Sequence, residues 1–366
     1  MKVGILGLPQ VGKSTLFSLL TGASAPQPGK PDARVGIARV PDPRLDALEK
    51  LFSPKKKTPA TIEFVDVPGL AKGDGSSLID LPPLRGADAF LHVVRAFENN
   101  AVAHAEGSVD PERDIEMMEL EFMLADLTLV STRLERLEAA IKKLNKAEDR
   151  TEHELLSRLK KHLESETPLR EIELSSDDRK KMKNYSLLSI KPMVLALNLG
   201  DADMKEPAKI MGLPKVAAIG RRPNVSLCAV AATIEAEMAE LSPEDATAFR
   251  EDLGLREPGL DRVVRSAYGL LGLISFLTAG EDECRAWTIR LNTRAQSAAG
   301  EIHSDIERGF IRAEVVPYHT LIANGSLAAC KEKAALRLEG KDYIVQDGDV
   351  INFRYNVGPI PPRPKP

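Results

Sequence analysis

One segment limits what this chain can fold into more than any other: Gly7-Leu8-Pro9-Gln10-Val11-Gly12-Lys13-Ser14-Thr15, with the G-x-x-x-x-G-K-S spacing of a phosphate-binding loop. Lys2 to Leu6 before it reads as a buried strand, and Leu16, Phe17, Leu19 and Leu20 after it form a helical apolar face. Gly7 and Gly12 let the backbone curl until its N–H groups point into one concavity. Those donors and the positive end of the next helix suit phosphate, with Gln10, Val11 and Thr15 completing the nucleotide-binding loop. Lys13 adds a cation at the β and γ phosphates, and the Ser14 hydroxyl is a Mg²⁺ ligand. The expected fold is α/β, with a mainly parallel sheet.

Two further segments agree. Thr61-Ile62-Glu63-Phe64-Val65-Asp66-Val67-Pro68-Gly69 is a β-rich stretch ending in Asp-x-x-Gly. In a P-loop fold such an Asp66 holds Mg²⁺ through water, and the Gly69 N–H senses the γ-phosphate. Pro192 to Leu197 reads as another buried strand, followed by Asn198-Leu199-Gly200-Asp201. Guanine-specific proteins carry Asn-Lys-x-Asp at this place. Asn198 and Asp201 keep that frame, while Leu199 replaces the Lys that would lie along the base. Val225 to Ala232 is the expected last strand, with Ala231-Ala232 near the base.

Composition narrows the class. With 366 residues, two or three domains are expected at roughly 150 residues each. The 50 Lys+Arg nearly balance the 54 Asp+Glu, so bulk charge does not mark a nucleic-acid binder. No apolar run reaches the ~18 residues of a membrane span. Cys228, Cys284 and Cys330 lie far apart and indicate neither a disulfide framework nor a zinc site. A reduced, cytoplasmic protein is expected.

Taken together, these segments resemble the YchF family, the Obg-like ATPases of the TRAFAC GTPase class. The resemblance also rests on Val40-Pro41-Asp42-Pro43-Arg44-Leu45, His92-Val93-Val94-Arg95-Ala96-Phe97-Glu98, Val109-Asp110-Pro111, Arg285-Ala286-Trp287-Thr288-Ile289, Gly309-Phe310-Ile311-Arg312-Ala313 and Glu339-Gly340-Lys341-Asp342-Tyr343-Ile344-Val345. It implies a P-loop G domain, an inserted antiparallel coiled-coil hairpin, and a C-terminal β-grasp (ubiquitin-like, TGS) domain. It also implies ATP hydrolysis with relaxed purine selectivity and association with the ribosome, its large subunit in particular.

The chain departs from that family in four places. Asp201 stands where the family usually has Glu, while Leu199 is family-like, which leaves ATP and GTP both open. The place of the family's first-switch Thr falls at Lys30. Gln10 replaces an Asn, and the segment after Leu70 is shorter than the family's second switch. Leu70 cannot orient the attacking water as a Gln does, so slow intrinsic turnover is expected, with Lys13 and Gly69 as the catalytic contacts. The alternative is a nucleotide-gated ribosome- or RNA-binding protein with GTP preference and negligible hydrolysis.

The expected domains are a G domain over 1–116 and 188–279, a hairpin over 117–187, a TGS-like domain over 280–358 and a Pro-rich tail over 359–366. Leu120, Met123, Leu127, Val130, Leu134, Leu137, Ile141 and Leu144 follow a 3.5-residue period, and Leu155, Leu156, Leu159 and Leu163 supply the returning stripe. Asn145 to Thr151 is the expected turn. Lys142, Lys143, Lys146, Arg150, Lys160 and Lys161 near the tip fit either a solvated coiled coil or a basic arm touching RNA, through phosphate contact with rRNA, or ribosomal protein. Lys55-Lys56-Lys57 reads as a solvated loop, and His303 with Asp305 as a structural pair. A monomer is favoured.

Overall fold

The computed structural model describes residues 1–24, 34–67, 82–144 and 146–356. Lys30, Gly69, Leu70 and the tail 359–366 therefore lie outside the described residues. In chain order the strands are β1 Lys2–Leu6, β2 Arg34–Arg39, β3 Lys56–Thr58, β4 Thr61–Asp66, β5 Ala89–Ala96, β6 Met193–Leu199, β7 Val225–Val230, β8 Leu273–Thr278, β9 Glu283–Arg290, β10 Phe310–Pro317, β11 Arg337–Glu339 and β12 Asp349–Tyr355. They form two sheets, and the chain divides into two compact units.

The first unit comprises Met1–Ala38 and Ile62–Leu271. Its sheet has the order β2-β4-β1-β5-β6-β7, and the β4-β1, β1-β5, β5-β6 and β6-β7 pairs are all parallel. All eight residues of β5 and all seven of β6 are buried, as expected of strands covered on both faces. Parallel order brings the strand tips, and the loops that follow them, to one edge. The phosphate loop leaves β1 between β4 and β5, so Asp66, Arg95 and Asn198 reach the same rim.

Helix Pro111–Leu144 has two apolar faces used in succession. Met118, Phe122 and Ala125 pack on the sheet with Leu6, Val65, Phe90 and Met193, where Phe122 stacks on Phe90 at 5.2 Å. Further along, Met123, Val130, Leu134 and Leu137 pack against Leu155, Leu156, Leu159 and Leu163 of the returning helix Ala147–Glu164. The regular seam expected from the sequence is interrupted at its ends: Leu120 and Leu144 are exposed. Near the base the helix turns its apolar face toward the sheet, and Leu144 is its last residue at the tip. The returning helix already begins at Ala147, so the turn is shorter than expected, and Asn145 lies outside the described residues. The hairpin base is fastened by polar groups. Buried Asp126 accepts from the N–H groups of Leu188 and Ser189, both at 2.8 Å, and from Ser189 Oγ at 2.6 Å. Glu119 and Arg170 form a buried pair at 2.5 Å.

The second unit comprises Arg39–Thr61 and Gly272–Pro366. Its boundaries differ from the sequence expectation at two places. Leu273–Thr278, read as the end of the G domain, is β8 and pairs antiparallel with β9. Lys56–Thr58, read as part of a solvated loop, is the edge strand β3, parallel to Glu283–Arg285. Ion pairs Lys55–Asp282, Lys56–Glu283 and Lys57–Glu49 neutralise this basic run. Arg44 bonds both Asp42 and Asp347, tying the early segment to the late one.

The second sheet has the order β11-β10-β12-β8-β9-β3, with β12 and β8 parallel at its centre. Helix Ala295–Ile302 lays Ala295, Ala298 and Ala299 on the core with Phe276, Ile289 and Phe353, a β-grasp arrangement. That helix ends at His303, whose Nδ1 accepts from the Asp305 N–H and caps a second short helix, Ser304–Arg308. Within Asp342–Val345, Ile344 forms an isolated bridge with Arg294.

Candidate functional site

The phosphate loop is built on positive φ angles at Gly7 (143°), Gln10 (62°) and Gly12 (97°). Two of these positions are also closed sterically. A Cβ on Gly7 would lie 2.3 Å from the Val93 carbonyl, and one on Gly12 would lie 2.4 Å from Asn198 Nδ2. Glycine is thus required by conformation and by space. Lys13 opens the following helix and is 6% exposed; its ammonium folds back on the Gly7 and Leu8 carbonyls at 2.9 and 2.6 Å. Burial lowers its pKa to about 8, although the nearby Asp66 charge works in the opposite direction.

Beside Lys13, Ser14 Oγ donates to Asp66 Oδ2 at 3.1 Å. The same oxygen accepts from Arg34 Nη2 at 2.6 Å, while buried Asp66 Oδ1 has no hydrogen-bond partner among the described residues. A hydroxyl and a carboxylate with an unsatisfied oxygen suit a hard, oxygen-preferring cation such as Mg²⁺. Among the described residues there is no group of three or more His, Cys, Asp or Glu able to hold a metal.

Asn198 is buried at the tip of β6. Its Nδ2 donates to the Val11 carbonyl and its Oδ1 accepts from the Ala232 N–H, both at 3.0 Å. It fastens the phosphate loop to the turn after β7, which includes buried Ala231 and Ala232. Asp201 is exposed and accepts from Thr233 Oγ1 at 2.5 Å. Leu199 is 1% exposed and packs in the apolar core below the rim.

These groups surround a cleft of about 960 Å³ running from Lys13 and Ser14 to Asn198, Asp201 and Thr233, with Gln10 and Thr15 also on its wall. Its far wall, Phe97, Glu98, Asn99 and Val102, was not singled out as site residues by sequence reasoning. Arg95 organises this wall. The side chain is 2% exposed, donates to the carbonyls of Phe97 (3.1 Å), Asn99 (3.3 Å) and Val102 (3.0 Å), and lies 4.6 Å from the Phe97 ring centroid. The available signal was a long charged residue inside a strand, Ala89–Ala96, that is apolar apart from it and His92. Beyond the wall, His104 Nε2 lies 3.0 Å from Asp114 Oδ2, and Arg113 pairs with the other oxygen at 2.8 Å.

A parallel sheet with a glycine cradle, a buried lysine, a Ser–Asp pair and a cleft running from them to the β6 and β7 tips defines a P-loop nucleoside triphosphatase. The comparisons agree. Residues 2–133 match the family described as 50S ribosome-binding GTPase, and residues 273–356 match YchF-GTPase_C, described as a protein of unknown function (DUF933). "Ribosome-binding ATPase YchF" of Bacillus subtilis is 44% identical, covering 98% of this chain and all of that one. "Obg-like ATPase 1" of rice (Oryza sativa subsp. japonica) is 36% identical over 98% of this chain and 92% of that one. The solved Schizosaccharomyces pombe YchF GTPase superposes with a TM-score of 0.84 at 28% identity, covering 97% of both chains. The chain belongs to the YchF family.

Proposed function

We propose that this protein is a ribosome-associated ATPase whose nucleotide site works as a switch. The observation that carries the reading is Lys13: a buried ammonium that donates to two carbonyls of the glycine loop at the start of a helix. A β,γ-phosphate offers that ammonium a stronger, charged acceptor than either carbonyl. Lys13 would then turn from Gly7 and Leu8 onto the phosphates and neutralise charge that grows on the leaving β-phosphate as water attacks the γ-phosphorus. Ser14 and Asp66 would hold Mg²⁺, which when bound would offset the negative charge of the phosphates. Gly69, outside the described residues, keeps its proposed role at the γ-phosphate.

Hydrolysis would be slow, because Leu70 follows Asp-x-x-Gly and has no group with which to orient water. Base selection would rest on the Phe97–Val102 wall and on Asn198, Asp201, Ala231 and Ala232. With Leu199 turned into the core and the Asp201 carboxylate engaged by Thr233, ATP is favoured over GTP. For the partner, we propose the large ribosomal subunit, with rRNA phosphate meeting the hairpin tip or the C-terminal unit. At the tip Lys142, Lys143, Lys146 and Arg150 are exposed, whereas Lys160 and Lys161, expected there from the sequence, lie near the far end of the returning helix Ala147–Glu164, where Lys160 pairs with Glu164 at 3.8 Å. No helix among the described residues is long and apolar enough to cross a membrane.

Two measurements test this. In a competition titration with fluorescent nucleotides, ATP should bind at least as well as GTP; a tenfold advantage for GTP, about 1.4 kcal/mol, would overturn the base assignment. In single-turnover assays with and without ribosomes, hydrolysis should be slow alone and faster with ribosomes. No product in either condition would leave a binding protein rather than an ATPase.

A further inference from the structure

We propose that Arg34 is a built-in counter-cation of the metal corner, holding Asp66 when no divalent ion is bound and competing with that ion for it. The inference rests on the reading of Ser14 and Asp66 as the Mg²⁺ site. Three contacts fix the guanidinium. Nη2 lies 2.6 Å from Asp66 Oδ2, Nη1 donates to the Ser24 carbonyl at 2.9 Å, and the guanidinium carbon stands 4.6 Å from the ring centroid of buried Phe17.

Asp66 is 6% exposed, and a buried carboxylate without a cation is strongly unfavourable. Arg34 supplies that cation here, while Ser14 Oγ shares the same oxygen. Mg²⁺ and its water shell need an octahedral arrangement close to the carboxylate. A guanidinium at 2.6 Å blocks one of the two oxygens, and it also neutralises the charge that attracts the ion. Adding two positive charges while Arg34 stays would place like charges within a few ångströms. Ion binding therefore releases Arg34 from Asp66, and because Arg34 opens β2, that release alters the edge of the sheet. Mg²⁺ binding should consequently be weaker than Ser14 and Asp66 alone would give.

The test is the Mg²⁺ concentration at half-saturation in the full chain, read from fluorescence of bound ADP analogue rather than from turnover, for wild type, Arg34→Lys, Arg34→Ala and Asp66→Asn. Arg34→Ala should need at least tenfold less Mg²⁺, with Arg34→Lys in between. Melting of the nucleotide-free protein provides a second readout: Arg34→Ala should melt lower than wild type in chelator and recover part of the loss as Mg²⁺ is added. An unchanged or higher Mg²⁺ requirement in Arg34→Ala overturns the proposal. Loss of the Mg²⁺ response in Asp66→Asn supports the metal assignment independently of what Arg34 does. A wild type without any Mg²⁺ response overturns both.

Discussion

The side-chain amide of Asn198 donates to the Val11 carbonyl at 3.0 Å and thereby couples the end of β6 to the phosphate loop. Its other end holds the Ala232 N–H, so one residue sets the spacing between the phosphate cradle and the turn beside the base. A residue expected to read the base is thus committed first to holding the two halves of the site together. Its second amide hydrogen and second carbonyl lone pair remain for a nucleotide.

Replacing Asn198 with Ala removes both bonds and leaves two buried backbone groups to desolvation. The expected cost is about 1–3 kcal/mol of stability per stranded group. Affinity should fall for ATP and for pyrophosphate alike, because the loop itself loosens. Calorimetry and pyrophosphate competition would check this; a variant that loses only base discrimination would show a reading role without the staple.

Arg95→Met should act on the opposite wall. Three carbonyls lose their common donor, so Phe97–Val102 should lose its set position. Binding of ATP should weaken several-fold while pyrophosphate, which reaches only the cradle, should bind nearly as before. Equal loss for both ligands would argue against a role confined to that wall.

Lys13 gives the site a pH dependence with a definite sign. Its free-state pKa is lowered from 10.5 to about 8, and phosphate must raise it again because it favours the ammonium. Binding therefore takes up a proton above about pH 8, and affinity should fall there by up to about tenfold per pH unit. Stability of the nucleotide-free protein should change the other way. Below pH 8 the lysine is charged both folded and unfolded, and its burial is a constant cost; between pH 8 and 10.5 that cost is relieved. Lys13→Met should abolish both trends, which fluorescence titrations and melting curves at matched ionic strength would reveal.

Phe122 anchors the long helix to the sheet, and Leu156 anchors the returning helix to it. Each is fully buried, so Phe122→Ala should cost about 3–5 kcal/mol and Leu156→Ala about 2–5 kcal/mol. Their effects should differ in place. Hydrogen exchange should quicken at the sheet and at the nucleotide site for Phe122→Ala, but within the hairpin alone for Leu156→Ala.

The parts that the sequence determined by itself are those governed by neighbours a few residues away. The glycine spacing, the buried strand before it and the apolar helical face after it specify the phosphate loop locally, because φ preference and 3.6-residue periodicity act over one or two turns. The same holds for β6, β7 and the heptad stripe of the hairpin. Tertiary structure decided what depends on which groups compete for one partner across long separations. Lys56–Thr58 reads as a polar loop until β9 offers it a free edge and acidic neighbours. Leu120 fits the heptad as well as Met123 does, yet only one of them faces the returning helix once the sheet has claimed Phe122. Arg95 and Arg34 look like surface charges in a string of letters. In the fold one is enclosed by three carbonyls and the other is drawn to Asp66, since a charge removed from water must find its compensation in whatever polar groups the packing brings near it.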